Sequence, residues 1–291
     1  MIFVCFICLL SVLQTMETTA TTQKQNRLDS TMSSCNINNY NSFYAGHNKK
    51  LENTIIEMKR KLDAIEQELK NLTKKVEPTK IVPDPVAFFP LNAAYGTKEI
   101  NNRAVKGILG AVTLAPGPDG RPNYSYQFSG SSNSYIEFPN RIGGPLDVRF
   151  SMTMLCWVYF DGQDGPLFNY RTSGSWGVHL WVVNGKLFVR FTKRGYSFTT
   201  NLIHTSLAGG WKFVGASYDR CSGEAKLWVN GAVVQTLNIG AGLELATQDS
   251  IRMGVKSGDR RYFKGRIAQM RIYNRALSQE QIQAIQKLVA A

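Results

Sequence analysis

The chain has 291 residues, and 34 lysines and arginines against 21 aspartates and glutamates leave a formal net charge of +13. That length holds one large β domain plus accessory segments, and the basic balance favours anionic partners such as sulfated glycans, acidic lipids or nucleic acid, with a solvated, ligand-free surface as the alternative. Five cysteines are too few for a disulfide-dense small scaffold, and none lies in a Cys/His cluster that suggests zinc.

Residues Ile2–Leu13 are apolar almost throughout, and the Thr-rich stretch that follows offers small residues at Thr18 and Ala20. This reads as a secretory signal over residues 1–20, which places the protein outside the cell and leaves Cys35, Cys156 and Cys221 after cleavage. The alternative is an uncleaved anchor, although a dozen apolar residues fall short of the ~20 that a membrane span needs. Residues 21–47 are rich in Thr, Asn, Ser and Gln and are expected to form a flexible arm.

Over residues 48–77 the pattern changes. Leu51, Ile55, Met58, Leu62, Ile65, Leu69, Leu72 and Val76 recur at alternating spacings of four and three, the seam of a coiled coil. With Ile55, Leu62, Leu69 and Val76 at a, Lys61 at g faces Glu66 at e of a parallel partner. The mixture of Leu at a with Ile at d leans away from a dimer, so a homotrimer is expected. A lone amphipathic helix packed on its own β domain is the alternative. Pro78 stops the helix, and residues 78–85, with Pro83 and Pro85, form a stiff linker. Asn71-Leu72-Thr73 and Asn123-Tyr124-Ser125 are glycosylation sequons.

Residues 86–291 read as a β module. Ala87–Leu91 is the opening strand, Lys98–Pro122 a long irregular excursion, and Ser151–Phe160, Leu167–Arg171, Val178–Val183 and Lys186–Gly195 are strands, the last two joined by an Asn184-Gly185 hairpin. Trp211, Phe213, Gly215 and Ser217 alternate with Lys212, Val214, Ala216 and Tyr218, and after a turn at Asp219–Glu224 a second strand carries Ala225, Leu227 and Val229. Asn230-Gly231 is a type I′ signal that reverses the chain into a third strand from Val233. Ser278-x-x-Gln281 is a capping box opening a short helix whose Ile282, Ile285 and Leu288 are expected to face a sheet.

The hairpin pattern Trp-x-x-Val-x-x-x-Tyr-Asp-x-x-x-Gly-x-x-x-Leu-x-Val-Asn-Gly at Trp211–Gly231 resembles the central hairpin of the laminin G-like and pentraxin group. Phe150–Phe160 is similar to that group's Trp-bearing strand, Val86–Asn92 and Tyr124–Pro139 to its first strands, and Phe263–Ile285 to its closing strand pair and terminal helix. The resemblance implies a mostly β fold, an antiparallel two-sheet jelly-roll sandwich of the concanavalin A-like kind with a short C-terminal helix, here preceded by an N-terminal α-helical coiled coil.

Catalysis is disfavoured. Only His47, His179 and His204 are present, no Gly-x-Ser-x-Gly elbow occurs, and the Glu-x-Asp-x-Glu strand that resemblance to glycoside hydrolases of this fold requires is missing. Glu137 and Glu244 stand alone among hydrophobic neighbours, and Asp161 and Asp164 sit in a turn, where capping backbone N–H groups is the usual role. No cofactor is expected. The pentraxin calcium cluster falls on Met253–Gly265, where Val255, Lys256 and Ser257 replace oxygen ligands, so that site is not carried over; a different one on Asp161, Asp164 or Asp249 stays open. The pentraxin disulfide is also in doubt: Cys156 matches its first half, but Gly215 stands in for the second and Cys221 lies in the hairpin turn. Cys35 and Cys221 are candidates for intermolecular bridges, or are free or paired with each other.

The basic residues gather in two stretches. Arg190, Lys193 and Arg194 sit at one hairpin, while Arg252, Lys256, Arg260, Arg261, Lys264 and Arg266 crowd a loop and its flanking strands. Resemblance to laminin G-like domains implies a basic rim for anionic glycans, and Arg suits sulfate or carboxylate bidentately. The expected function is thus a secreted oligomeric binding or adhesion protein recognising an anionic glycan or an extracellular-matrix protein. The alternatives are a structural matrix constituent without a sugar site and a membrane-anchored adhesion protein. Nucleic acid is not expected as a partner, since no reading motif is present.

Overall fold

A computed structural model describes residues 37–75, 82–204, 206–207 and 209–288, with side chains in the first stretch limited to residues 49–68 and that of His204 left out. The chain divides into two units between Glu77 and Pro78. The expected signal, most of the arm, Cys35, Val76 and half of the linker lie outside the described residues.

The first unit contains helix α1 (Ile37–Lys75), which begins well before the expected start at residue 48 and ends three residues short of Pro78. Leu51, Met58 and Ile65 are 62%, 58% and 54% exposed, while Ile55 and Leu62 are half-buried. Lys61, expected to reach a partner helix, here pairs with Glu57 one turn back at 3.0 Å. Leu69, Asn71 and Leu72 lie in the helix, but their side chains are not among those described.

In the second unit the strands are β1 (Ala87–Phe89), β2 (Ile108–Leu109), β3 (Val112–Ala115), β4 (Ser125–Ser129), β5 (Ile136–Phe138), β6 (Met152–Gln163), β7 (Gly165–Tyr170), β8 (His179–Val183), β9 (Lys186–Arg190), β10 (Leu202–His204), β11 (Trp211–Tyr218), β12 (Glu224–Val229), β13 (Ala232–Asn238), β14 (Ile251–Met253) and β15 (Lys264–Tyr273). Their ladders are antiparallel throughout. An eight-stranded sheet runs β13-β12-β11-β6-β15-β4-β3, with β1 also on β15, and a seven-stranded sheet runs β10-β9-β8-β7-β14-β5-β2. This is the expected jelly-roll sandwich.

Period-two alternation decides which side chains enter the core. Along β6, Met152, Met154, Cys156 and Val158 fill the space between the sheets, while Leu155 packs on the outer face against Phe213, Trp228, Tyr273 and helix α2 (Gln279–Lys287). Helix α2 opens with the expected capping box, Ser278 accepting from the Gln281 backbone N–H and Gln281 accepting from that of Ser278. Ile282 and Ile285 are buried beneath it, but Leu288 is 57% exposed, because it caps the helix after its last turn instead of sitting on the apolar stripe.

The structure departs from the sequence reading at several elements. The excursion at Lys98–Pro122 contains β2 and β3, and the closing segment is one long strand broken by a bulge near Gln269, whose φ is +55. Both Asn-Gly turns have positive φ at both positions, 54 and 67 at Asn184-Gly185 and 51 and 76 at Asn230-Gly231, as type I′ geometry demands.

Candidate functional site: an aromatic pocket with unneutralised cations

On the outer face of the seven-stranded sheet, two neighbouring strands present rings where solvent-facing polar residues are the norm. Leu180 and Val182 of β8 and Leu187 and Val189 of β9 point into the core. Alternation therefore turns His179 and Trp181 outward, and they pair across strands with Arg190 and Phe188 respectively. Trp176, from the loop before β8, closes one side, its ring 4.9 Å from His179 and 5.0 Å from Trp181; His179 stacks on Phe188 at 5.6 Å. With Val183, Phe198 and Arg261 these side chains line a cavity of about 240 Å³. Its floor is fixed from below, since Trp181 Nε1 donates to Asn169 Oδ1 on β7 and Asn169 Nδ2 donates to the Arg171 carbonyl.

Three cations stand over these rings. Arg190 lies 5.4 Å from the Phe188 centroid and 4.8 Å from that of Phe198, Lys256 4.5 Å from Trp176, and Arg261 4.7 Å from Trp181. Cation–π attraction holds such groups in place but does not neutralise them. Arg261 has a carboxylate, Asp259 at 2.6 Å, whose hydrogen bonds hold the guanidinium more firmly protonated. Among the described residues Arg190 donates only to the neutral amide of Asn201, and its Nε is buried with no partner. Lys256 is 3% exposed and donates to the Gly174 carbonyl. Burial lowers the pKa of both, for Lys256 against the opposing pull of Asp259.

His179, 4% exposed, is pushed down to about 4, first by burial and then by the charges of Arg190, Lys256 and Arg261, although a bond to the Gly177 carbonyl works the other way. The ring is neutral at ordinary pH. Its Nδ1 sits 2.8 Å from that carbonyl, which requires the proton on Nδ1 and leaves Nε2 as an acceptor. The pocket thus combines apolar walls, a hydrogen-bond acceptor and positive charge at the rim.

The nine basic residues expected to share one surface are dispersed. Arg190, Lys256 and Arg261 meet at this pocket. Arg194 is bound to Asp147 at 2.8 Å and Arg252 to Glu137. Lys264 and Arg266 lie on the other sheet, the first 3.7 Å from Asp161 and the second stacked 4.0 Å from the Tyr159 ring; Lys193 and Arg260 are exposed. Glu137 and Glu244, which read as solitary, are thus paired with Arg252 and, at 2.6 Å, Arg149. Asp164 accepts from the Asn184 and Gly185 N–H groups, capping the neighbouring hairpin, and Asp249 accepts from the Tyr196 hydroxyl. Among the described residues no group of three potential metal ligands occurs, no helix is long and apolar enough to cross a membrane, and Cys156 and Cys221 are free, the first buried and the second exposed. Asn123 is exposed in a turn at φ +62.

Sequence reasoning did not single out Trp176, Trp181, Phe188 and Phe198, and named His179 only as one of three histidines. The usable signal was the alternation of His179, Trp181 and Phe188 with core leucines and valines: on these strands they occupy the face left for solvent.

Two antiparallel sheets in jelly-roll order, carrying a ring-lined pocket on an outer face, define the class as a lectin-like β sandwich. The chain belongs to the concanavalin A-like lectin/glucanases superfamily, whose Laminin_G_3 profile matches residues 129–283. No curated protein matches it. Among solved structures it is similar to the botulinum neurotoxin serotype G binding domain, with 12% identity over 72% of this chain and 52% of that one and a TM-score of 0.56. It is also similar to the serotype D ligand-binding domain in complex with N-acetylneuraminic acid (17% identity, 70% and 50% coverage, TM-score 0.55) and to the binding domain of Paraclostridial Mosquitocidal Protein 1 (15%, 66% and 49%, 0.53). The chain spans about half the length of these structures.

Proposed function

We propose that the protein is a secreted, oligomeric binding protein whose jelly-roll module captures an acidic glycan in the pocket formed by Trp176, His179, Trp181, Phe188 and Arg190. The observation that carries this reading is Arg190, a partly buried guanidinium with no carboxylate and an unpaired buried Nε. Burying a charge without a counterion is costly, and a ligand carboxylate or sulfate removes that cost while its sugar ring lies against the indole and phenyl walls. A ligand hydroxyl donates to His179 Nε2. The N-acetylneuraminic acid held by one structural neighbour is a carboxylated sugar of this kind, which supports the choice. The role is capture, with no reaction step.

The bare seam of α1 supports assembly into a homo-oligomer, with a trimer as the proposed number. Several weak sites on one particle raise apparent affinity by orders of magnitude when they engage together. Glycosylation at Asn71 and Asn123, and intermolecular bridging through Cys35 or Cys221, fit the same extracellular setting.

A glycan array probed with the full chain and with its Arg190→Gln variant tests the reading. Sialylated, uronate or sulfated glycans are expected to be held by the natural chain and lost from the variant. Binding confined to neutral glycans, or acidic glycans held equally by both proteins, would overturn it.

A further inference from the structure

The outer face of the opposite sheet holds a second, differently built cavity. Helix α2 covers Leu155, and Trp157, two residues along β6 on the same face, is partly buried against the same cluster. The gap between the end of α2, the Asn230-Gly231 turn and the Pro118–Asp119 loop is a cavity of about 550 Å³, with Trp157 beside Asp119, Asn230, Gln283, Gln286 and Lys287.

The amides are held in place by one half of each group. Asn230 Oδ1 accepts from the Phe213 N–H at 3.0 Å, and Gln283 Nε2 donates to the Gly231 carbonyl. Among the described residues, Asn230 Nδ2 and Gln283 Oε1 have no partner, nor do the Gln286 amide and the Lys287 ammonium. The approach of helix and turn is close: a Cβ on Gly231 would sit 2.8 Å from Gln286 Oε1 and 2.9 Å from Gln283 Cγ. At the cavity's edge Trp157 Nε1 is buried and also unpaired. Buried donors of this kind ordinarily find a partner.

We infer that this cavity is a second binding site, and that it takes a neutral sugar unit. Planar amides offer a donor and an acceptor side by side, which suits adjacent hydroxyls, and an indole accepts the C–H face of a pyranose. Three neutral amides dominate the lining, whose one cation, Lys287, is exposed and whose one carboxylate, Asp119, is already paired with Arg121 at 2.8 Å. This separates the site from the pocket at Arg190 and makes the inference independent of that reading. A small shift of the Trp157 ring brings its N–H against a bound hydroxyl.

Saturation-transfer NMR on the full chain with methyl glucoside, methyl galactoside and methyl mannoside tests the inference, at the millimolar strength a single sugar ring affords. Transfer to at least one glycoside is expected, retained in Arg190→Gln and weakened roughly fivefold or more, the worth of about one hydrogen bond, in Gln283→Ala and in Gln286→Ala. Both amides lie on the exposed side of α2, and unchanged melting temperatures verify that the variants fold. Absence of transfer from all three glycosides, transfer unaffected by either glutamine change, or transfer lost in Arg190→Gln would each overturn it.

Discussion

Arg190 and His179 are paired across strands, and the charge of Arg190 acts on the histidine. The histidine is kept neutral by burial and by the cations around it. Its folded pKa of about 4 lies below the 6.5 of an unperturbed imidazole, so between those values the unfolded chain binds the extra proton. Stability from this group is therefore complete above pH 6.5 and is lost as pH falls toward 4, by roughly 3 kcal/mol. Thermal melts of the natural chain should decline over that window, and His179→Gln should flatten the decline; equal slopes in both proteins would contradict the assignment. At this scale the sequence was only partly legible. Arg190, Lys256 and Arg261 could be named, but which cations had carboxylates could not. Asp259 is two residues from Arg261, whereas Asp147 is 47 from Arg194 and Glu137 is 115 from Arg252, and such pairings exist only once the sheets are closed.

Among the elements, those with strong local chemistry were legible and those defined by tertiary pairing were not. The β11–β12–β13 meander and the β8–β9 hairpin carry alternation plus Asn-Gly turns, and α2 carries its capping box; each was found. Strands β2, β10 and β14 are only two or three residues long, too short to express a period, and are fixed by the neighbours they pair with. Leu288 shows the same limit in a helix, since the apolar spacing continues one step past the last residue that faces the sheet. Replacing the N-cap, Ser278→Ala, removes the acceptor for the Gln281 N–H and is expected to cost about 1 kcal/mol. Calorimetry should show the module melting roughly 2–4 °C lower. No change would mean that the packing of Ile282 and Ile285 alone holds the helix.

For the molecule as a whole, the heptad seam is the feature from which assembly is proposed. Three large apolar side chains, Leu51, Met58 and Ile65, stand more than half exposed along one helix, an arrangement that sister helices would cover. Sedimentation of the full chain should give an oligomer, and the double change Ile55→Asp with Leu62→Asp should give a monomer with an intact β module; a monomer in both cases would contradict the stalk. The fold of that module was legible from four ordered motifs, because strand alternation and turn chemistry are local. The pocket was not, because it is completed by tertiary approach: the rings of β8, β9 and their flanking loops are joined by Arg261 from a distant loop. The most direct test of the account is a calorimetric titration of the full chain with a sialic-acid-terminated trisaccharide, repeated with Arg190→Gln. The account predicts saturable binding that the variant loses by at least about tenfold, the worth of a charge-assisted hydrogen bond; equal affinity in the two proteins, or none in the natural chain, would contradict it.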